Sequence, residues 1–481
     1  MIYGRLLSNY WATDMSDKRP NILWIYIEDQ DPRYGCYGEP LVDTLNIDAL
    51  ADQGVVFERA YSPAPVCSPS RSAVITGSYA IRNGTHVQRS SRFPGEEIYL
   101  PTGTKTVPEL FRDAGYFTFN RGKDDYNFAY DRSDLYSVGN NSKDPGANKG
   151  VQAGGGDWSE CPADIPFFAQ IQTNGGKNGY SLDAAADMLC KLGVENPTLV
   201  NPDDVTVPPQ YPDLPEMRDL VAAQLSTMLI SDIEVAQMVT HLKETGHWGN
   251  TVIFLISDHG AYFPRAKQMC YEEGLHIPLI VAAPGMDDLA ETIPAGSRRN
   301  QQTALLDVAA TSLELAGITV PDYMDSTSLF SGASREYIFS ARDRCEWVVD
   351  RTRSVINERY HYIKNFMTDR PLAQINYRSV WPAFVKIQEM YDRGELTTAQ
   401  ALPYGPRPAE ELYDLIEDPH ELVNLAEVPE HQQTLSILRD RVQDWIEDTD
   451  DKGQYPDDPA ALKITKQQFG KMCIDPIFED L

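Results

Sequence analysis

The sequence predicts an α/β fold in which a mainly parallel central sheet is sandwiched by helices. Two almost wholly apolar runs, 21–27 and 251–256, are typical of strands that are buried on both faces. Between and after these runs, shorter apolar segments alternate with helical patterns, which favours a parallel sheet covered on both sides. From about residue 321 the pattern changes to shorter strands with polar alternation. We therefore expect a second, smaller C-terminal α+β subdomain.

Taken in chain order, the elements are predicted from apolar periodicity and turn residues. The predicted strands lie at 21–27, 55–57, 116–120, 166–171, 251–256, 277–282, 337–340, 353–357 and 360–364. The predicted helices lie at 47–53, 106–113, 213–245, 303–316 and 432–448. Residues 130–165 are rich in Gly, Asn, Asp and Ser and are predicted to form loops. These patterns divide the chain into an N-terminal extension (1–19), a large α/β domain (20–325) and the smaller subdomain (326–481).

Composition and charge restrict the classes of function. The chain has 481 residues and a formal net charge of −29, which argues against a nucleic-acid backbone as partner. Its seven cysteines show neither paired nor metal-ligand spacing, so we expect no disulfide framework. No apolar run is long enough to cross a bilayer, and residues 1–19 lack a signal-peptide core. We expect a cytoplasmic protein from the sequence as it stands, or a periplasmic one if a signal peptide has been removed.

A loop that turns into a helix at 66–77 is the first candidate for a functional site. Pro69 suits the first helical position and Gly77 suits the end, so Cys67 is predicted to lie just before the helix. Arg71, four residues later, comes round to the same face as Cys67. Because exposed backbone N–H groups and the helix dipole favour anions, this segment indicates chemistry on an anionic group.

Carboxylates follow both apolar runs. Glu28 and Asp29 come after the first run, and Asp258 and His259 come after the second. The carboxyl ends of central strands are where open α/β sheets place their sites, so we expect these four side chains to meet. Oxygen ligands favour Ca²⁺ or Mg²⁺, whereas an imidazole suits Mn²⁺ or Zn²⁺ better. The pattern predicts a divalent cation beside the Cys67 loop and leaves its identity open.

Cys67-x-Pro69-Ser70-Arg71 resembles the pattern that marks the modified cysteine of the type I, formylglycine-dependent sulfatases. Further landmarks that resemble this family occur in its order at 19–27, 35–38, 44–50, 61–77, 122–123, 166–170, 257–260, 271–278 and 411–421. The resemblance implies the alkaline-phosphatase-like fold and oxidation of Cys67 to formylglycine by a formylglycine-generating enzyme or an anaerobic sulfatase-maturating enzyme. It also implies that the hydrated aldehyde attacks sulfur and that loss of sulfate restores the aldehyde.

The resemblance further implies roles for individual residues. The implied metal ligands are Glu28, Asp29, modified Cys67, Asp258 and His259. The implied catalytic set is Cys67, Arg71, Lys123, Lys267 and His259, with Arg71 holding the formylglycine oxygens and the two lysines contacting the sulfate. The implied cofactor is Ca²⁺, with Mg²⁺ or Mn²⁺ as alternatives.

Four positions depart from the usual family pattern. Glu28 replaces an aspartate, and His259 stands where many relatives have asparagine. Asp124-Asp125 and the segment 173–178 stand where histidines are common, so the general acid that protonates the leaving group is left open. Lys177, His86 and His276 are the candidates for that role.

A last resemblance concerns the substrate. Segments 341–344, 353–355 and 362–365 resemble the branch that contains N-sulfoglucosamine sulfohydrolase. The predicted substrate-binding residues are Lys177, Asn178, Arg342 and Arg344. The expected function is removal of sulfate from a sulfated sugar or glycan. A phosphonate monoester or phosphodiester hydrolase and a glycan-binding homologue without catalysis remain as alternatives.

Overall fold

A computed structural model describes residues 19–90, 95, 97–139, 153–176, 181–479 and 481. Its larger sheet has eight strands: β1 (Asn21–Ile27), β2 (Gly54–Tyr61), β3 (Phe117–Lys123), β4 (Ala153–Gly154), β5 (Phe167–Gln172), β6 (Thr251–Ser257), β7 (His276–Ala282) and β8 (Ser297–Ala304). Their spatial order is β4-β3-β5-β1-β6-β7-β2-β8. The smaller sheet contains β9 (Ile338–Arg342), β10 (Thr352–Ile356), β11 (Tyr360–Asn365) and β12 (Glu410–Asp414), all antiparallel.

Helices cover both faces of the larger sheet. The helices are α1 (Leu45–Ala51), α2 (Cys67–Thr76), α3 (Ala80–Asn83), α4 (Val107–Asp113), α5 (Arg132–Leu135), α6 (Leu182–Lys191), α7 (Pro215–Glu244), α8 (Glu272–Leu275), α9 (Asp307–Leu315), α10 (Pro382–Asp392), α11 (Thr398–Ala401), α12 (Gln432–Asp448) and α13 (Pro459–Phe469). One core packs α1 and α7 against one face, and a second packs α2, α4 and α9 against the other. The predicted α/β fold is therefore confirmed. None of the described helices combines the length and apolar character that a membrane span needs.

The first apolar run forms the central strand of the larger sheet. All seven residues of β1 are buried, and successive side chains alternate between the two cores. Strand β1 pairs in parallel with β5 and β6, and Ile27 lies opposite Ser257. The residues that follow these two strands, Glu28 and Asp258, therefore emerge side by side at the same edge of the sheet.

The structure corrects the sequence prediction at four places. Residues 297–304 form the edge strand β8, which the sequence did not reveal because most of its side chains are polar and partly exposed. Strand β7 runs antiparallel to both of its neighbours, and α9 begins at Asp307 rather than at 303. Cys67 is the first residue of α2, so Pro69 occupies the third helical position. The N–H group of that third position also has no partner within the helix, so proline is tolerated there too.

The smaller sheet braces the loop that precedes Cys67. The backbone N–H of Ala341 donates to the Pro63 carbonyl at 3.0 Å, and the Ser340 hydroxyl donates to the Ser62 carbonyl at 2.7 Å. The Gln88 N–H donates to the Arg344 carbonyl at 3.0 Å. Residues from both parts of the chain thus fix the surroundings of Cys67.

A buried ion pair in the smaller sheet should contribute strongly to stability. Arg353 on β10 is fully buried and donates to both carboxylate oxygens of Asp451 at 2.8 Å. We expect Arg353→Met to lower the free energy of unfolding by about 3–5 kcal/mol, because the buried Asp451 would lose its bidentate partner and keep only the longer 3.2 Å ion pair with Arg351. Arg359→Met is the matched control, since the Arg359 guanidinium is 47 % exposed beside Asp414 and its loss should cost much less. Equal urea midpoints for the two variants would contradict this assignment.

Two carboxyl groups of α8 should make stability depend on pH. Burial and the neighbouring Glu421 raise the pKa of Glu272 to about 7, and burial raises the pKa of Glu273 to about 7. Between their ordinary pKa of about 4.3 and pH 7 the folded state therefore holds more protons than the unfolded state. The free energy of unfolding should consequently fall as pH rises through this window. Urea titrations from pH 5 to 8 should give a flatter profile for the double variant Glu272→Gln, Glu273→Gln, and an unchanged slope would refute this cause.

Candidate active site

The carboxyl ends of β1 and β6 meet the first turn of α2 and enclose a buried group of four side chains. One ligand atom from each of Asp29, Cys67, Asp258 and His259 lies within 4.8 Å of the others. Asp29 adopts a left-handed backbone conformation (φ 56°), and its N–H donates to Asp258 at 3.3 Å. Three of the four residues predicted to meet at this edge of the sheet, Asp29, Asp258 and His259, are therefore brought together with Cys67.

Cys67 lies between the acids and two lysines. Its Sγ atom is 3.3 Å from His259 Nε2 and 3.8 Å from Asp29 Oδ1. Burial alone would raise the pKa of the thiol, but Lys123 and Lys267 outweigh burial and lower that pKa to about 6. The Sγ position marks where an oxygen of a converted residue 67 would lie. This environment favours an anionic group at that position.

Arg71 connects the ends of three neighbouring strands. Its guanidinium donates to Asp258 Oδ2 at 3.0 Å, to Glu28 Oε1 at 2.6 Å and to Gln172 Oε1 at 2.7 Å. The group is 1 % exposed and lies over the ring of Tyr26. With its charge matched by two carboxylates, Arg71 holds the ends of β1, β5 and β6 in register with α2.

The two predicted lysines approach the site from the end of β3 (Lys123) and from the loop after β6 (Lys267). Lys123 Nζ is 3.1 Å from Glu28 Oε1 and 2.9 Å from Asp125 Oδ2, and Lys267 Nζ is 2.5 Å from Asp29 Oδ2. Both side chains are largely buried, and Lys267 lines the pocket over Cys67. Together with Arg71 they supply three cations around residue 67. Such an arrangement can bind a tetrahedral dianion and stabilise charge that spreads over its oxygens.

The donor set fits a divalent cation. Burial would lower the pKa of His259, yet Asp258 and Asp29 raise it to about 9, so the centre stabilises positive charge between the two strand ends. His259 Nε2 is 3.0 Å from Asp29 Oδ1 and 3.8 Å from Asp258 Oδ1. A metal would supply that positive charge itself and would leave the imidazole neutral as a ligand.

Glu28 lies on the cationic side of the site. Its carboxylate contacts Arg71 and Lys123, and its oxygens are not among the four clustered ligand atoms of the described residues. The predicted role of Glu28 as a metal ligand therefore stays a prediction, whereas its contact with the cations is observed. Asp125, one of the two aspartates that replace a usual histidine, pairs with Lys123.

The predicted substrate-binding arginines lie elsewhere. Arg342 is 1 % exposed and pairs with Asp350, and Arg344 is 4 % exposed and pairs with Asp457 at 2.6 Å. Neither side chain lines the pocket over Cys67; both arginines are instead buried in ion pairs of the part of the chain that forms the smaller sheet. Lys177 and Asn178 lie outside the described residues.

The histidine candidates for the general acid are not in the pocket either. The Nε2 atom of His276 lies 2.8 Å from the carbonyl oxygen of Glu58, and the imidazole packs on the Tyr61 ring. His86 is partly buried, and burial lowers its pKa. Neither imidazole lines the pocket over Cys67.

Five pocket residues were missed by sequence reasoning. The lining side chains other than Val66, Cys67 and Lys267 are Gln88, Arg89, Gln268, Glu346 and Tyr377. They come from four separate segments, and no local pattern marks them. A parallel bridge between Gln88 and Cys345 brings two of these segments together, and that pairing could not be predicted from spacing.

Comparison with known proteins agrees with the geometry. Residues 20–318 match the family model described as Sulfatase. The chain is 28 % identical to an ulvan-active sulfatase of Formosa agariphila, over 94 % of this chain and 79 % of the relative. It is 26 % identical to the N-sulphoglucosamine sulphohydrolase of Homo sapiens, over 93 % of this chain and 94 % of the relative.

A solved structure shares the fold. That protein, in complex with its substrate D-glucosamine-2-N,6-O-disulfate, aligns with a TM-score of 0.60 at 18 % identity, over 92 % of this chain and 99 % of its own. The family model covers more than half of the chain, including every residue of the cluster around Cys67. The chain therefore belongs to the sulfatase family, whose members hydrolyse sulfate esters.

Proposed function

We propose that this protein removes sulfate from a sulfated sugar or glycan, with formylglycine at position 67 as the nucleophile. The observation that carries the proposal is the contact of Cys67 with a buried pair of aspartates from two strands, beside Arg71 and two lysines. The names of the two relatives, which act on ulvan and on N-sulfoglucosamine, support a carbohydrate substrate. Hydrated formylglycine supplies an oxygen nucleophile that a thiol cannot replace in a cycle that ends with loss of sulfate.

The residues of this chain would orient the sulfate and stabilise its charge. Lys267 faces Asp29 and Lys123 faces Glu28, so each lysine already has a carboxylate partner. A bound sulfate would therefore meet cations that the protein has fixed in advance, which lowers the cost of reorganisation during the reaction. Arg71 would hold residue 67 one helical turn away, at the positive end of α2.

We infer that Asp29, Asp258, His259 and residue 67 hold the metal, and we propose Ca²⁺. Two carboxylates favour a hard cation, and a converted residue 67 would offer oxygen in place of sulfur. The imidazole keeps Mg²⁺ or Mn²⁺ as alternatives. A maturation enzyme is a further proposed partner, because Cys67 has to be oxidised before the chemistry can start.

Sulfate release is the direct test. The protein, co-produced with a formylglycine-generating enzyme, should show conversion of Cys67 by peptide mass spectrometry. It should also release sulfate from D-glucosamine-2-N,6-O-disulfate or from sulfated polysaccharides, measured by ion chromatography. Cys67→Ala should abolish turnover, because no side-chain oxygen remains to attack sulfur.

The competing functions give different results in the same assay. Retained sulfate release by Cys67→Ala would refute the mechanism. Faster hydrolysis of an aryl phosphonate than of an aryl sulfate would favour a phosphonate hydrolase instead. A fully converted protein that binds sulfated sugars without turnover would favour the binding homologue.

Metal content should separate the two kinds of acid. Asp258→Asn should lose most of the bound metal, measured by elemental analysis after dialysis, because the change removes one charge from the clustered ligands. Glu28→Gln should lose less of the bound metal, since Glu28 faces Arg71 and Lys123. Titration of the stripped protein with Ca²⁺, Mg²⁺ and Mn²⁺ identifies the preferred ion. A larger loss for Glu28→Gln than for Asp258→Asn would contradict the assignment of ligands.

A further inference from the structure

The mouth of the pocket over Cys67 contains polar side chains that the sulfate chemistry leaves unused. Gln88, Arg89, Gln268 and Glu346 line it, and Tyr377 stands beside them with 41 % of its surface exposed. Planar polar groups with fixed donors and acceptors orient a ligand through hydrogen bonds, while an aromatic face contributes apolar contact. The leaving group of a sulfate ester has to lie on this open side, because the sulfate itself faces Arg71, the lysines and the acids.

Three of these residues have an unusual backbone conformation. Arg89 (φ 60°), Gln268 (φ 71°) and Glu346 (φ 55°) adopt the left-handed region, which non-glycine residues rarely do. Contacts from other segments hold them there, such as the 2.7 Å hydrogen bond from the Gln268 N–H to the Pro65 carbonyl. Strained backbone positions cluster at functional sites when their side chains must point in a set direction.

Arg89 lies loosely between two carboxylates. Its Nε is 3.4 Å from Asp125 Oδ1 and its Nη1 is 3.6 Å from Glu346 Oε1, both longer than the 2.7–2.9 Å of a good charge-assisted hydrogen bond. The Nη2 atom of Arg89 donates one long hydrogen bond of 3.4 Å to Asp125 Oδ2. Because Nη1 of Arg89 and Oε1 of Glu346 are 3.6 Å apart and both side chains are partly exposed, this donor and this acceptor remain available to a ligand.

A neutral hydroxyl fits this pair better than an anion does. A second anionic group bound to Arg89 would lie close to the carboxylates of Asp125 and Glu346 and would be repelled by both. A hydroxyl can donate its proton to the Glu346 carboxylate and accept from the Arg89 guanidinium at the same time. The partial exposure of both side chains, 19 % and 20 %, leaves room for such a group.

We propose that Arg89 and Glu346 are specificity-determining residues that together bind one hydroxyl group of the sugar that carries the scissile sulfate. The inference rests on the proposed function, because it presumes a sugar leaving group. Tyr377 would lie beside the sugar ring. Recognition of the leaving group is thereby assigned to residues that do not bind the sulfate.

The test compares a sugar substrate with one that has no sugar. Glu346→Gln and Arg89→Met should each raise KM for D-glucosamine-2-N,6-O-disulfate, or for the best sulfated sugar found, at least 10-fold. The same variants should change kcat/KM for 4-nitrophenyl sulfate less than 3-fold, since that leaving group has no hydroxyl to bind. Deoxy analogues of the sugar substrate should identify the hydroxyl. With the wild-type enzyme, one deoxy analogue should raise KM as much as the two substitutions do on the full sugar. On that analogue the variants should raise KM little further.

Controls separate this role from a structural one. The exposed pair Arg393 and Glu395 is the matched control. Arg393→Met and Glu395→Gln should leave the kinetic constants for both substrates unchanged. Thermal unfolding checks each variant, and the near-isosteric Glu346→Gln keeps the test open if Arg89→Met does not fold. An equal loss of kcat/KM on both substrates, or an unchanged KM for the sugar substrate, would overturn this inference alone. A wild-type enzyme that hydrolyses aryl sulfate but no sulfated sugar would overturn the sugar assignment as well.

Discussion

The buried guanidinium of Arg71 is the contact on which the rest of the site depends. It is the only group among those described for the site that joins α2 to the ends of β1, β5 and β6 through side-chain hydrogen bonds. Asp258 and Glu28 are almost fully buried, and a buried carboxylate without a partner is strongly destabilising. Arg71 therefore makes it possible for acids to be concentrated behind residue 67. The position of residue 67 relative to the strands follows from the same contact.

The balance of charge around residue 67 explains how an acidic protein can bind an anion. The chain carries a net charge of −29, which would repel a sulfate ester at long range. Within the site, Arg71, Lys123 and Lys267 face Glu28, Asp29, Asp125 and Asp258. A divalent cation added to this set would make the local charge positive. The raised pKa of His259 shows that the acids already favour a positive charge at this place.

How far the sequence predicts the structure depends on whether a residue's role is local. Strands β1 and β6 were predicted because burial on both faces demands an unbroken apolar run, and the site at their ends followed from sheet topology. Strand β8 was missed because an edge strand can be polar. Arg342 was predicted as a substrate ligand, yet its charge is matched by Asp350, a partner that spacing alone does not reveal. Likewise, Glu346 reaches the pocket only because its loop pairs with Gln88 from a distant part of the chain.

Residues that bind the sulfate and residues at the pocket mouth differ in how freely they can be substituted. Of the sulfate-binding groups, Arg71 lies on α2 and Lys123 ends β3, where the packing of two cores fixes them, whereas Lys267 lies in the loop after β6. The residues at the pocket mouth lie on loops, and the loop of Glu346 belongs to the part of the chain that forms the smaller sheet. Because loops tolerate substitution better than core elements, the preference for a leaving group can vary while the sulfate chemistry is kept. The smaller sheet therefore does more than stabilise the larger one, since the segment that follows β9 supplies one wall of the pocket into which the substrate must fit.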